Sequence, residues 1–118
     1  MERIGTKEEL TLRHCKALPS LLDEVGLHDL LGLFSGWKAQ NGSIVKIYSF
    51  ADYHETMTFV EEIAPIIHIE DHHPELIINY NTCEVRFQTD STKENLPGIT
   101  ENDFICAAKI DRVCENIK

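Results

Sequence analysis

A two-residue Asn-Gly turn between two segments of strand character is the feature that most narrows the folds open to this chain. Asn41-Gly42 separates residues 37–40 from residues 43–50, and an Asn-Gly pair in such a place is typical of a tight antiparallel hairpin. Residues 43–50 are rich in β-branched and aromatic side chains, which suits a half-buried strand. We therefore predict that residues 37–50 form one hairpin of an antiparallel sheet.

A second hairpin is predicted downstream, around a turn at Asn81-Thr82. Residues 75–80 precede this turn, and residues 83–89 alternate between apolar and polar side chains after it. Because neighbouring side chains of a strand point to opposite faces of the sheet, this alternation predicts one buried face. The side chains on that face are Cys83, Val85, Phe87 and Thr89.

Helical segments precede, separate and follow the two hairpins. Apolar residues recur at helical spacing over residues 20–34 and again from Asp52 towards His72, where Pro65 predicts a bend. Thr100 and Asp103 predict the capped start of a last helix that ends near residue 117. This order of elements predicts an α+β fold, a four-stranded antiparallel sheet with helices packed on one face.

Length and charge narrow the class of protein further. The 118 residues suit one domain, which we place at residues 20–118 behind an N-terminal arm of residues 1–19. A formal net charge of −9 argues against binding to nucleic acid. No apolar run approaches the roughly 18 residues of a membrane span, and the N-terminus lacks a signal-peptide pattern. Four cysteines without C-x-x-C spacing indicate reduced thiols in a cytoplasmic protein.

The strongest lead to function is a cluster of three histidines and two acids within residues 68–74. Histidine exchanges protons near neutral pH, because its ordinary pKa is roughly 6.5. At the junction of a helix and a strand, the rings of His72 and His73 can both turn into one pocket and act as general acid and base. Glu70 or Asp71 can then fix a ring tautomer by accepting an N–H.

Two other interpretations of the cluster remain open at this point. His68 and His72 are four residues apart and can chelate a metal, with Glu70, Asp71 or Asp90 as a further ligand. Ile69 stands where a zinc protease motif would need its glutamate, so the pattern is not specific. In the other interpretation, the histidines only complement the dipole at a helix end.

Several motifs together resemble one known family. His72-His73-Pro74-Glu75 is followed by Tyr80-Asn81 before a strand, and His68 stands four residues ahead of the first paired histidine. This pattern resembles that of the pterin-4a-carbinolamine dehydratases, and the resemblance extends from about Gly36 to Val113. Its other marks are Gly36-Trp37, Tyr48-Ser49-Phe50-Ala51-Asp52-Tyr53 and Asn102-Asp103-Phe104-Ile105-x-Ala107-Ala108.

The resemblance implies dehydration of a 4a-hydroxytetrahydropterin to the quinonoid dihydropterin, without a metal or an organic cofactor. It implies a homodimer or homotetramer and a pathway shared with an aromatic amino-acid hydroxylase. Asp90 stands where the family has a third active-site histidine. The implied catalytic residues are His72, His73 and Asp90, and the implied substrate-binding residues are His68, Asp71, Pro74, Gln88 and Thr89.

A relative that has lost catalysis is the alternative to an enzyme. Animal members of the family also bind a transcription factor as coactivators. A diverged pocket such as one with Asp90 is compatible with a protein that binds a pterin, or a protein partner, without turnover.

Overall fold

A computed structural model describes residues 4–117 of the chain and confirms the predicted α+β class. The two predicted hairpins and the three predicted helices are present, and one further short helix lies in the N-terminal arm. In chain order the elements are α1 (Lys7–Thr11), α2 (Glu24–Leu31), β1 (Lys38–Gln40), β2 (Ser43–Ser49), α3 (Tyr53–Glu70), β3 (Glu75–Ile78), β4 (Thr82–Phe87) and α4 (Glu101–Ile117).

The four strands form one antiparallel sheet in the order β1-β2-β4-β3. The alternation predicted for β4 is confirmed, because Cys83, Val85 and Phe87 are fully buried while Glu84 and Arg86 are partly exposed. The buried face packs against the helices, so the core lies between the sheet and α3 and α4. The strand β4, at the centre of the sheet, therefore leads directly from the core into the loop that follows it.

Side-chain caps set the ends of the helices. The helix predicted over residues 20–34 is shorter, because the carboxylate of Asp23 accepts a hydrogen bond from the N–H of Gly26 and starts α2 at Glu24. Asp52 caps α3 in the same way. The helix α3 continues through Pro65 and ends at Asp71, a left-handed C-cap with φ of 51°. The chain therefore changes direction at Asp71, directly before the paired histidines.

The N-terminal arm is packed against the domain. Its Leu10 has no exposed surface, and α1 lies against α4. The first three residues of the predicted arm lie outside the described residues. Among residues 4–117, no helix has both the length and the apolar character needed to cross a bilayer.

A buried carboxylate, Asp111 of α4, joins α1 and β2 to the core. It accepts hydrogen bonds from the indole of Trp37 (3.1 Å), from the hydroxyl of Tyr48, and from the ammonium groups of Lys46 (2.9 Å) and Lys7 (2.6 Å). Burial opposes the charge of Asp111, but the donors Lys7, Tyr48 and Lys46 outweigh it and lower its pKa. Burial, together with the nearby charge of Asp111, raises the pKa of Tyr48. Trp37 is itself part of the buried core.

Candidate functional site

The histidine cluster opens onto a cavity of about 410 Å³. Four parts of the chain line it: the arm, the C-terminal end of α3, the loop after β4 and the first turn of α4. The lining residues are Cys15, Lys16, Ala17, Leu18, Pro19, Glu70, Asp71, His72, His73, Gln88, Thr89, Asp90, Ser91 and Asn102. Here, this space is called the pocket.

His72 is the most firmly held histidine of the pocket. Its side chain is only 12% exposed, and its Nε2 lies 2.6 Å from Oδ1 of Asp103, which is fully buried. The ring stacks on Phe87 at the end of β4, with 5.5 Å between ring centroids and 8° between the planes. The orientation of this imidazole is therefore set from two sides, by a carboxylate and by an aromatic ring.

Asp103 has a second task, because its other oxygen caps α4. Oδ2 accepts hydrogen bonds from the backbone N–H of Thr100 (2.9 Å) and from the hydroxyl of Thr89 (3.0 Å). The hydroxyl of Thr100 in turn accepts from the N–H of Asn102 (3.2 Å), so the side chains of Thr100 and Asp103 cap the helix together in a variant of the capping box. The cap predicted from Thr100 and Asp103 thus also orients the histidine.

The contact with Asp103 determines which nitrogen of His72 is available to a ligand. An ionised carboxylate can only accept a hydrogen bond, so Nε2 must carry the proton that it donates to Asp103. In the neutral ring, Nδ1 is then the nitrogen with a free lone pair. This arrangement suits a general base that accepts a proton at Nδ1.

The other ionisable residues of the pocket are more exposed. The side chain of His73 is 65% exposed, and its Nε2 lies 3.8 Å from Oδ1 of Asp71, beyond hydrogen-bond distance. Asp71 is the left-handed cap of α3, and Asp90 is exposed just after β4. These side chains are free to rearrange around a bound molecule, whereas His72 is fixed before the molecule arrives.

Glu70 does not orient a histidine of the pair, contrary to one suggestion of the sequence. Its buried carboxylate faces the arm, where it accepts from the backbone N–H of Cys15 (2.7 Å). It also contacts the ammonium of Lys109 and the ring of His14, both at 2.7 Å. Burial alone would raise the pKa of Glu70, but the hydrogen bonds from Lys109, Cys15 and His14 outweigh it and lower the pKa to about 2.

This pKa predicts how Glu70 contributes to stability as the pH falls. Because the pKa in the folded state lies below the ordinary value of 4.5, the contribution is complete above about pH 4.5 and is lost towards pH 2. We expect Glu70→Gln to unfold at lower denaturant concentration than the parent at pH 7, with the gap narrowing between pH 4.5 and pH 2. Urea unfolding at several pH values measures it, and the exposed Glu61→Gln is the control. A gap that does not change with pH would contradict this account.

A metal site at His68 and His72 does not fit the geometry. His68 is exposed on α3, while His72 follows the left-handed cap, outside the helix, and its Nε2 is engaged with Asp103. Within residues 4–117, no group of three or more histidine, cysteine or acidic side chains is arranged to hold a metal ion.

The structure brings together six of the eight site residues predicted from the sequence. Asp71, His72, His73, Gln88, Thr89 and Asp90 line the pocket. His68 and Pro74 do not line it. Sequence reasoning missed Asp103 as the partner of His72 and missed the arm as a wall of the pocket. Asp103 did appear in the sequence analysis, in the predicted cap of the last helix and in one motif of the resemblance, but neither linked it to His72.

Comparison with known proteins agrees with the resemblance seen in the motifs. Residues 20–113 match the family model described as "Pterin 4 alpha carbinolamine dehydratase". A Bdellovibrio bacteriovorus protein named "Putative pterin-4-alpha-carbinolamine dehydratase" is 43% identical over 111 residues, which cover 94% of this chain and 92% of that protein. A Nitrosospira multiformis protein of the same name is 41% identical over 110 residues, covering 90% and 93% of the two chains.

A solved structure shares the fold. The crystal structure of a "transcriptional coactivator/pterin dehydratase" from Brucella melitensis superposes with a TM-score of 0.72 at 28% sequence identity. The superposition covers 80% of this chain and 98% of the Brucella chain.

Proposed function

Because this chain belongs to the pterin-4a-carbinolamine dehydratase family, we propose that it dehydrates a 4a-hydroxytetrahydropterin to the quinonoid dihydropterin. The reaction removes hydroxide from carbon 4a and a proton from nitrogen 5, forms a double bond between these atoms, and releases water. The protein must therefore supply a proton at one point of the ring system and accept a proton at another. Both transfers must work near neutral pH.

The hydrogen bond between His72 and Asp103 is the observation that carries this proposal. Because Nε2 of His72 is engaged with Asp103, Nδ1 is the ring nitrogen that can accept the proton from nitrogen 5 of the substrate. Such positioned acid–base catalysis is worth roughly 10²–10⁴-fold in rate. The hydrophobic contact with Phe87 keeps the ring in place during the transfer.

His73 is the second partner in this proposal. It lies in the pocket with enough exposure to donate a proton to the departing hydroxyl and to exchange it afterwards with water. Asp71 is near enough to stabilise the protonated ring of His73 by its charge. Gln88 and Thr89 border the pterin in this proposal, because both line the pocket at the end of the strand that leads out of the core.

The wider setting is part of the same proposal. The reaction recycles the tetrahydrobiopterin that aromatic amino-acid hydroxylases oxidise, and we place it in the cytoplasm. The protein acts as a homodimer or homotetramer, with no metal or organic cofactor in the reaction.

Asp90 tests the proposal, because it stands where the family has a histidine. We expect the parent protein to accelerate dehydration of enzymatically generated carbinolamine, and Asp90→His to change kcat by less than about tenfold. The reason is that Asp90 is an exposed residue of the rim, whereas the proton transfer is assigned to the buried His72. The rate is followed by absorbance of the quinonoid product, with the uncatalysed rate as the reference.

Each outcome separates the candidate functions. An active parent supports the dehydratase. If only Asp90→His is active, the pocket is that of a dehydratase but the natural reaction is a different one. If both are inactive and the parent still binds a dihydropterin, a non-catalytic pterin-binding relative is favoured over the enzyme.

A further inference from the structure

Leu18 combines three properties that do not serve the stability of the fold. Its φ of 48° places it in the left-handed region, where leucine is rarely found. The residue is 55% exposed, so little of the side chain is buried in compensation. It also lines the pocket that contains His72 and His73. A strained, exposed apolar residue beside a candidate site is the kind of feature that function retains.

The arm that carries Leu18 is held across the pocket by specific hydrogen bonds. The buried side chain of Asn102 accepts from the N–H of Lys16 (3.0 Å) and donates to its carbonyl oxygen (2.8 Å). Glu70 accepts from the N–H of Cys15, and the carbonyl of Pro19 accepts from the N–H of Lys93 (3.1 Å). The backbone on both sides of Leu18 is therefore anchored, and its position relative to the pocket is fixed.

Asn102 joins this wall to the catalytic side of the pocket. It is the neighbour of Asp103 in the first turn of α4, so one turn of helix positions both the arm and His72. A ligand in the pocket would lie between these two features, because both border the same cavity. The arm is thus a built wall of the pocket.

We propose that Leu18 is a substrate-binding residue that packs against one face of the pterin ring, and that Asn102 is the positioning residue that holds it there. This inference rests on the proposed function. A pterin has two ring faces of low polarity and polar edges, so a leucine over one face adds apolar contact area and leaves the hydrogen-bonding edges to the polar residues of the pocket. Binding of the ring compensates for the exposure and the backbone strain of Leu18.

Leu18→Gly is the informative variant. Glycine adopts positive φ without strain, so the variant removes the side chain while it relieves the backbone. We expect the melting temperature to stay within a few degrees of the parent or to rise. We also expect KM for the carbinolamine, and Kd for an unreactive dihydropterin, to rise about tenfold, with kcat within twofold of the parent. Leu18→Asn, which also tolerates positive φ, is expected to show the same loss of binding.

A second test variant, Asn102→Ala, and two controls, Asn95→Gly and Asn116→Ala, separate the loss of the Leu18 contact from general effects of changing the backbone or the helix. Asn95→Gly relieves a positive φ of 63° in the loop after β4, outside the pocket lining, and should leave KM and Kd unchanged. Asn102→Ala should raise KM and Kd with little change in kcat, because it frees the arm but not His72. Asn116→Ala, on the exposed face of the same helix, should change neither.

The results distinguish this inference from the function on which it rests. If the parent is active and Leu18→Gly and Leu18→Asn keep the parent's Kd within twofold, the role of Leu18 is wrong and the dehydratase stands. If the parent neither turns over the carbinolamine nor binds a dihydropterin, the proposed function fails and this inference fails with it. The inference is supported if Kd rises in the Leu18 and Asn102 variants and stays at the parent's value in Asn95→Gly and Asn116→Ala.

Discussion

Asp103→Asn is expected to lower kcat for dehydration by at least about a hundredfold while the protein stays folded. The oxygen on the Oδ2 side must accept from the N–H of Thr100 and the hydroxyl of Thr89. The amide oxygen of an asparagine will therefore take that side and preserve the cap of α4. Its NH₂ group is then directed at Nε2 of His72, which must become an acceptor.

The consequence for His72 is the wrong tautomer. With Nε2 accepting, the proton of the neutral ring moves to Nδ1, which can no longer take the proton from the substrate. Steady-state kinetics of carbinolamine dehydration measures the loss, and circular dichroism confirms the fold. His72→Ala should be slowed by roughly 10²–10⁴-fold, and the double variant should be little slower than His72→Ala.

The matched control is Asp52→Asn. Asp52 caps α3 through one hydrogen bond to the N–H of Glu55 and lies outside the pocket lining. Because asparagine caps helices about as well as aspartate, this variant should keep both its stability and its kcat. Parent-like kcat in Asp103→Asn would show that the tautomer of His72 is not part of the mechanism.

Asp111→Asn is expected to lower the free energy of unfolding by about 3 kcal/mol. The carboxylate of Asp111 is buried and accepts from Trp37, Tyr48, Lys46 and Lys7. An amide has one acceptor oxygen in place of two and turns an NH₂ group towards donors. The two ammonium groups keep partial access to water, which holds the expected loss at the lower end of the range for a broken buried ion pair.

Urea unfolding at pH 7 measures this loss, with Glu115→Gln as the control. Glu115 is an exposed acid on α4, so its substitution should change the free energy of unfolding by no more than about 0.5 kcal/mol. A loss of less than about 1 kcal/mol in Asp111→Asn would mean that the four donors find water or other partners easily. The same variant should leave kcat unchanged wherever the protein is folded, because Asp111 is not in the pocket lining.

Local signals predicted most of the fold. The Asn41-Gly42 turn and the alternation in β4 depend on neighbouring residues alone, and both are confirmed. The ends of helices were less well predicted, because apolar spacing continues beyond the residue whose side chain caps the helix. Asp23 shows this, since it starts α2 several residues after the apolar pattern begins.

The partner of His72 could not be predicted in this way. Glu70 and Asp71 are adjacent in sequence and were the natural candidates, but Asp103 lies 31 residues away and meets His72 only through the packing of α3 against α4. The carboxylate of Glu70 instead accepts a hydrogen bond from the backbone N–H of Cys15 in the arm. The part of the arm that lines the pocket has no periodicity that would reveal its place, because hydrogen bonds from its backbone to Asn102 and Glu70 hold it there.

The first turn of α4 has a consequence for protein engineering. Residues 100–103 start a helix, anchor the arm and orient the imidazole, so three requirements fall on four consecutive positions. A designer who transplants this pocket to another scaffold must move that tetrapeptide as one block. The hydrogen bond from the hydroxyl of Thr89, just after β4, to Asp103 must be kept as well. Conversely, a library that randomises these positions will contain few variants in which folding and catalysis can be optimised separately.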